Sequence, residues 1–409
     1  MTSTAASEGR EQPSLRDFFA SRFVQAILLS GLFLQIGIWV RNFAILFYVT
    51  DLTGNDPNAV SLISVAEFLP IFLFSFIGGT FADRWRPKRT MVWCDLLSAV
   101  SVLLVLLTLL FGTWKAVFFA TLVSSILSQF SQPSGMRLFK QHVHESQLQL
   151  GMSVYQTMMA VFMILGPSLG TLVYYNLGID WAMGIMCGCF VLSAVTLMFL
   201  PPDRAEDRRE QTHIAREMAL GFKYVLSRRL LTMLGVNFAV AGLAIGLIMP
   251  MSIFLVTEHL GLDKSHLQWF TGINGAAMIV GGGLAMAFSK KASPQSMLAA
   301  GMAVSVVAIA AIGTTSSVAV ALVAQFISGL VMPAIQIAIN TLILQNTEDA
   351  FVGRVNGILN PLFMGAMVLT MSVAGLLKDA FSLSAIYLVS SGLFVLGVLV
   401  MLPMLRVKK

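Results

Sequence analysis

The sequence predicts an all-α membrane protein with twelve transmembrane helices in two pseudo-symmetric bundles of six, and three observations support this fold class. Hydrophobic residues make up 57% of the 409-residue chain and charged residues only 11%, whereas about a quarter of a soluble globular protein is charged. Twelve apolar stretches are long enough to cross a bilayer core of roughly 30 Å, which takes about 20 helical residues. One long hydrophilic segment, at 201–229, separates the first six stretches from the last six.

The twelve stretches follow one another with short polar connections. We predict spans at 23–50, 58–82, 91–112, 115–136, 149–175, 181–200, 230–257, 266–288, 295–314, 317–341, 354–377 and 384–404. Tight turns near Gly112 and Thr314 leave eleven or thirteen spans as alternatives. The first stretch is too long for the apolar part of a signal peptide, and the polar segment before it carries both signs of charge, so we predict no cleaved signal.

The distribution of basic residues predicts the orientation of these spans. Of the 26 Lys and Arg residues, 22 lie in the tails and in the connections on one side of the predicted membrane. Basic residues are retained on the cytoplasmic side, so we expect a multi-pass protein of the inner membrane with both termini cytoplasmic. The net charge of +6 then reflects topology, and no nucleic-acid partner is expected.

The long hydrophilic segment divides the chain into domains. We predict a cytoplasmic tail at 1–22, a bundle at 23–200, a linker at 201–229, a second bundle at 230–404 and a tail at 405–409. Apolar residues recur at helical spacing within the linker, which favours an amphipathic helix on the inner leaflet over a plain connection. These residues are Ile214, Met218, Phe222, Val225 and Leu226.

A weak internal repeat supports two parallel halves. "IGGTFA" at 77–82 corresponds to "GGGLAM" at 281–286, and Pro133 and Pro333 both fall late in the fourth span of a half. Two parallel halves with a site between them at mid-membrane are the architecture of a transporter that works by rocking motions.

The stretch "FIGGTFADRWRPKR", at 76–89, ends the second span with a glycine pair, one aspartate and four basic residues. The glycines permit close approach of another helix, and the aspartate can accept hydrogen bonds from arginines or from a helix N-terminus. A contact of this kind, made in one arrangement of the halves and broken in the other, would act as a latch. The predicted latch residues are Gly79, Asp83, Arg84, Arg89 and, one and a half turns into the third span, Asp95. The alternative is that the basic residues only anchor the span.

Two opposite charges lie deep inside the first two spans. Arg41 lies ten residues before Asp51, and Glu67 nine residues after Asn58, so both are about 13–15 Å from the outer end at 1.5 Å per residue. A buried charge in lipid needs a partner or a purpose, and we predict that Arg41 and Glu67 meet. A motion that separates them would change the proton affinity of Glu67 and so couple transport to protons. A permanent structural ion pair is the alternative.

Other polar or helix-perturbing residues also lie within predicted spans. "GPSLG" places Gly166, Pro167 and Gly170 in the fifth span, where proline removes a backbone hydrogen bond and glycine permits bending. Four amides are candidate ligands for a substrate in a central cavity: Gln35, Gln156, Gln336 and Asn360. Abundant Phe and Met suit bulky lipophilic substrates.

These motifs carry a family resemblance. "GGTFADRWRPKR" resembles the signature between spans two and three of the major facilitator superfamily, and "GPSLG" resembles the motif of its drug antiporters. Together with "AEFLP" at 66–70 and the segment that follows Pro133, the chain resembles the branch that includes macrolide efflux pumps and the enterobactin exporter. The resemblance implies the major facilitator fold and export of lipophilic or amphipathic small molecules, such as drugs, in exchange for protons. It also implies that Gln156, Gln336 and Asn360 line the cavity.

The sequence departs from the family pattern at two places. Arg86 and Pro87 stand where the family usually has Gly and Arg, and the second-half copy has Ala287 and Phe288 where the aspartate would fall. Only the first half is therefore expected to carry the latch.

Enzymatic chemistry is not predicted. The spans hold no P-loop for ATP, no metal-ligand cluster and, apart from His266 at the first position of the eighth span, no histidine, so we expect neither a cofactor nor a metal. The expected partners are a small-molecule substrate, protons and the bilayer, with the protein as a monomer. A lipid or lysolipid flippase, a siderophore exporter and a non-transporting membrane scaffold remain alternatives.

Overall fold

The computed structural model describes residues 15–110, 115–201, 214–289 and 292–405; within these helices, the side chains of residues 75–84 and of several helix ends lie outside the description. The described residues form fourteen α-helices joined by short turns, with no β-strand among them. The helices are α1 Leu15–Ala20, α2 Arg22–Leu52, α3 Pro57–Arg84, α4 Pro87–Leu110, α5 Ala116–His142, α6 Glu145–Met198, α7 Ile214–Ser227, α8 Arg229–Ile248, α9 Ser252–Phe254, α10 Leu267–Ser289, α11 Pro294–Thr314, α12 Val318–Asn346, α13 Asp349–Ala380 and α14 Leu383–Leu405.

The helices account for the twelve predicted passes. In the described part of the chain, ten helices are long and apolar enough to span a membrane. One of these, Gln147–Met198, has 52 residues, which is about 78 Å of helix and far more than one bilayer core. Gly178 interrupts it with φ +80° and ψ −178°, as predicted for the turn between spans five and six. The remaining pass is α5, which is less apolar because serine and glutamine recur along it.

Helix α8 ends earlier than the sequence predicts. A single span at 230–257 was expected, but α8 stops at Ile248, and the one-turn α9 and a π-helical turn at Leu255–His259 follow it. Pro250 explains the break, because proline lacks a backbone N–H and disfavours the helical conformation of the residue before it.

The predicted N-terminal tail is partly folded onto the bundle. Helix α1 carries Phe18, which is only 1% exposed and belongs to a buried cluster with Phe23, Leu138 and Leu197. The predicted turn near Gly112 lies outside the described residues.

A helix is present within the predicted linker. Gly221 of α7 backs closely onto Arg354 of α13, and the Tyr224 ring stacks on Phe351 with centroids 4.2 Å apart. Phe222 and Leu226 remain exposed on α7. The helix therefore has one face docked on α13 and an apolar face left uncovered, and its position on the inner leaflet stays a prediction.

The first and second sets of spans meet along two helix pairs, α3 with α13 and α6 with α10. Glycines allow both approaches. A Cβ on Gly375 would lie 2.7 Å from the Cα of Asn58, and one on Gly275 would lie 3.0 Å from the carbonyl oxygen of Met163. We use "outer end" for the end of the spans that carries the turns at 53–56 and 260–263, following the predicted orientation, and "inner end" for the opposite one.

Candidate functional site

The predicted intramembrane ion pair is present. Arg41 of α2 and Glu67 of α3 approach to 3.6 Å between Nη2 and Oε1, with side-chain exposures of 5% and 24%. The equal depths of the two residues therefore place them in contact, as predicted. Glu67 thus keeps part of its side chain accessible, whereas Arg41 is almost fully enclosed by protein.

Asn42 links the two charges and was missed by the sequence reasoning. Its Oδ1 accepts hydrogen bonds from Nε and Nη2 of Arg41 at 2.9 and 2.8 Å, and its Nδ2 donates to Oε1 of Glu67 at 3.1 Å. The available signal was an amide directly beside an intramembrane arginine. We call Arg41, Asn42 and Glu67 the charge network.

Helix α5 supplies a further hydrogen-bond partner of Arg41. Nη1 of Arg41 donates to Oγ of Ser124. Further serines of α5 are buried, namely Ser125, Ser131 and Ser134. Since lipid offers no hydrogen bonds, small hydroxyl residues of this kind lie at helix interfaces. The polar composition that lowers the hydropathy of α5 thus serves packing and the charge network.

The predicted latch is only partly described. Gly79, Asp83 and Arg84 lie on α3, but their side chains fall outside the described residues. Arg89 is exposed on the first turn of α4.

Asp95 differs from its predicted place among the loop bases. It is 3% exposed and accepts a hydrogen bond of 2.6 Å from Ser193 of α6, whose hydroxyl also lies 2.7 Å from that of Ser30 on α2. The physical reason is rotation about the helix axis: residues 89 and 95 point about 120° apart on α4, and Asp95 is the one that faces Ser193 of α6. Its partner in the described part of the chain is therefore a serine and not a base.

The "GPSLG" motif seats α6 against α2. A Cβ added to Gly166 would lie 2.3 Å from the Trp39 ring, and one added to Gly170 would lie 2.6 Å from the Trp39 carbonyl oxygen and 2.8 Å from Cβ of Phe43. Helical dihedrals continue through Pro167, because the break in α6 lies at Gly178. In this structure the motif provides close packing beside the charge network.

The four predicted cavity amides divide into two groups. Gln35 is buried, and its Nε2 donates to Sδ of Met159, so it bonds a neighbouring helix and does not face an open cavity. Gln156 of α6, Gln336 of α12 and Asn360 of α13 are exposed. These three keep the accessibility that a substrate ligand needs.

Three polar contacts join the two sets of spans at the outer end. Lys264 forms an ion pair with Asp51, Tyr175 donates to Asp263 at 2.8 Å, and Asn58 donates to Asp379 at 2.7 Å. The Lys264 ammonium also lies 5.4 Å from the ring centroid of Tyr174 and 5.7 Å from that of Phe47. We call these contacts the outer gate.

Hydrogen bonding fixes the charge of one gate residue. Hydrogen bonds from Ser265 hold the pKa of Asp263 below its ordinary value, because they stabilise the ionised carboxylate. Asp263 is therefore an anionic acceptor for Tyr175 across the neutral range. The sequence does not single out Lys264, since nothing in its neighbourhood along the chain indicates a partner 213 residues away at Asp51.

A family model described as Major Facilitator Superfamily matches residues 27–241 and again residues 234–409. The chain belongs to the Major Facilitator Superfamily. It is therefore a membrane transporter and not an enzyme, and the predicted fold class is confirmed.

Named relatives of this facilitator include efflux proteins. The multidrug efflux pump Tap of Mycolicibacterium fortuitum is 29% identical over 400 residues, covering 93% of this chain and 95% of Tap. Macrolide efflux protein A of Streptococcus pyogenes is 22% identical over 378 residues, covering 90% of this chain and 92% of that protein. Among solved structures, the nucleoside transporter NupG superposes with a TM-score of 0.75 at 13% identity, covering 95% of this chain and 100% of NupG, which supports the fold alone. The resemblance to the macrolide efflux branch is confirmed.

Proposed function

We propose that this transporter exports lipophilic or amphipathic small molecules in exchange for protons, by alternating access and as a monomer. The charge network carries this proposal, because it holds a partly exposed glutamate against a buried arginine, at the depth where the sequence places both within their spans. The names of Tap and of macrolide efflux protein A support the substrate class.

Glu67 is the proposed proton-coupling residue, with Arg41 as its partner. A proton on Glu67 would remove its charge and weaken its attraction to Arg41 and Asn42. Glu67 lies on α3, the helix that packs against α13 of the other half. Weakening the hold of α2 on α3 would therefore act directly on the interface between the halves.

The contacts of the outer gate support a conformation that is closed at the outer end. Its ion pair, cation–π contacts and hydrogen bonds close the outer end, so the substrate path of this state would open toward the inner end. In the proposed cycle the latch of Gly79, Asp83, Arg84 and Arg89 forms when the inner end closes. Gln156, Gln336 and Asn360 are the proposed substrate contacts.

Transport in proteoliposomes tests the coupling. Purified protein would be reconstituted with a macrolide and, separately, a lipophilic dye, with and without an imposed pH gradient. Glu67→Gln keeps the shape of the side chain and is expected to abolish accumulation driven by the pH gradient, while exchange of labelled for unlabelled substrate continues. Glu258→Gln, which alters a carboxylate paired with Lys378 at the outer end, is the matched control. Full gradient-driven accumulation by Glu67→Gln would exclude Glu67 from coupling.

A further inference from the structure

A crevice of about 590 Å³ opens between α4 and α5 at the inner end, away from the charge network. Its lining combines two basic residues, Arg86 and Arg89, with apolar side chains that include Trp85, Trp93 and Leu97. Trp93 is 62% exposed and Leu97 is 49% exposed. Two guanidinium groups thus border a largely apolar crevice.

A second crevice, of about 390 Å³, adjoins the first and shares Arg89 and Trp93 with it. Lys88, Val92 and Met198 complete its lining, between α4 and the end of α6, and the Lys88 ammonium donates to the carbonyl oxygens of Met198 and Leu200. The two crevices therefore meet at Arg89 and Trp93.

Arg86 and Arg89 have no counter-charge among the side chains that the structure describes. Asp95 of the same helix is bonded to Ser193, and neither Arg86 nor Arg89 forms an ion pair with a described carboxylate. Arginine binds phosphate through two parallel hydrogen bonds and is weakly hydrated compared with lysine. Tryptophan prefers the headgroup level of a bilayer, where its ring is apolar and its N–H remains hydrogen-bonded.

We propose that the two crevices hold an anionic phospholipid of the leaflet at the inner end. Arg86 and Arg89 bind its phosphate, and its two acyl chains lie one in each crevice beside Trp93. A basic pocket between transmembrane helices is the kind of site that selects anionic headgroups. Charge complementarity and the pair of adjoining crevices favour a two-chain lipid over a soluble anion.

Native mass spectrometry of the full chain in detergent tests this site. The probes are dioctanoyl phosphatidylglycerol, dioctanoyl phosphatidylcholine and inorganic phosphate. We expect the phosphatidylglycerol to bind in preference to the other two. Arg86→Gln with Arg89→Gln should weaken its binding about 10-fold or more, the loss of at least one charge-assisted contact.

The control removes the same charge elsewhere at the inner end. Lys223→Gln with Arg229→Gln alters two exposed basic residues outside the crevices and should leave the affinity unchanged. Arg86→Lys with Arg89→Lys keeps the charge and folding context but loses the planar fork, and should give an intermediate affinity. Size-exclusion chromatography establishes that each variant is folded.

Acyl-chain placement is tested separately by fluorescence. Phosphatidylglycerol brominated on its chains should quench the wild-type tryptophan emission, and Trp93→Phe should remove the largest part of that quenching. Equal affinity for phosphatidylglycerol and phosphatidylcholine, equal affinity for inorganic phosphate, or unchanged binding by the Arg86→Gln, Arg89→Gln variant would overturn the proposal.

Discussion

Arg41 and Glu67 occupy unequal environments although they face each other. Arg41 is almost sealed, with its guanidinium distributed among Asn42, Ser124 and Glu67, while Glu67 keeps 24% of its side chain exposed. The stability of a buried charge depends on each of its hydrogen-bonding and ionic partners, because a buried charge left without a partner costs several kcal/mol of folding free energy. Asn42 is therefore expected to contribute to stability alongside Glu67.

The first prediction concerns Asn42. Asn42→Leu removes the acceptor of two Arg41 hydrogen bonds and the donor to Glu67, and we expect a loss of about 2–3 kcal/mol in stability. Thermal unfolding in detergent would measure it. In the Asn42→Leu, Glu67→Gln double variant the losses should be non-additive, since the residues share one network. Additive losses would show that Asn42 acts independently of the pair.

The sequence predicted the ion pair of Arg41 and Glu67 but not Asn42, which hydrogen-bonds to both. Depth follows from counting 1.5 Å per residue, so Arg41 and Glu67 could be matched from the sequence. The rotation of each helix and the reach of each side chain do not follow from counting. For the same reason Gln35 was assigned to a cavity and Asp95 to loop bases, whereas each faces a neighbouring helix.

At the scale of elements, the close packing of α6 on α2 depends on two glycines, which have no side chain. Gly166 and Gly170 place the α6 backbone against Trp39 and Phe43, two residues on either side of Arg41. Compact packing here limits how far α2 can move relative to α6.

The second prediction concerns Gly170. Gly170→Ala would place a methyl group 2.6 Å from a backbone oxygen of Trp39, and since backbone cannot rotate away, we expect a loss of about 1–3 kcal/mol from overpacking. Gly184→Ala on the same helix is the control, because a Cβ there meets nothing within 4 Å. It should be neutral or stabilising by up to about 1 kcal/mol through helix propensity. Comparable melting temperatures for the two variants would contradict the close seat.

Most helix positions could be predicted from the sequence, since hydropathy and length determine a transmembrane span. The predicted span at 295–314 agrees with α11, Pro294–Thr314, to within one residue. The differences between predicted and observed helices come from individual residues. Pro250 broke the seventh span early, and the serines of α5 made a genuine pass less apolar than its neighbours.

At the scale of the whole molecule, the halves are held by two kinds of contact. Glycine-lined approaches of α3 to α13 and of α6 to α10 form the shared interface, and the outer gate adds charged and polar contacts at one end. Charged contacts at one end are directional and are lost when that end opens.

The last prediction therefore concerns Lys264. It is 14% exposed, pairs with Asp51 of the other half and lies over the rings of Tyr174 and Phe47. An ion pair with so exposed a carboxylate is worth less than about 1 kcal/mol, and the cation–π contacts add about 0.5–2 kcal/mol. Lys264→Gln should shift the population toward an open outer end by about 10-fold, which corresponds to about 1.4 kcal/mol.

Spin labels would be attached at positions 55 and 316, which lie in turns of opposite halves at the outer end. Pulsed electron paramagnetic resonance would report the shift as longer distances between the two labels. Lys378→Gln is the matched control, because Lys378 pairs with Glu258 within the second half and also lies over an aromatic ring, that of Phe254. This variant loses the same charge and the same kinds of contact as Lys264→Gln, but the contacts of Lys378 do not join the two halves. The distances between its spin labels should therefore match those of the parent protein. Equal distance distributions for Lys264→Gln and Lys378→Gln would mean that the outer end is closed by packing alone.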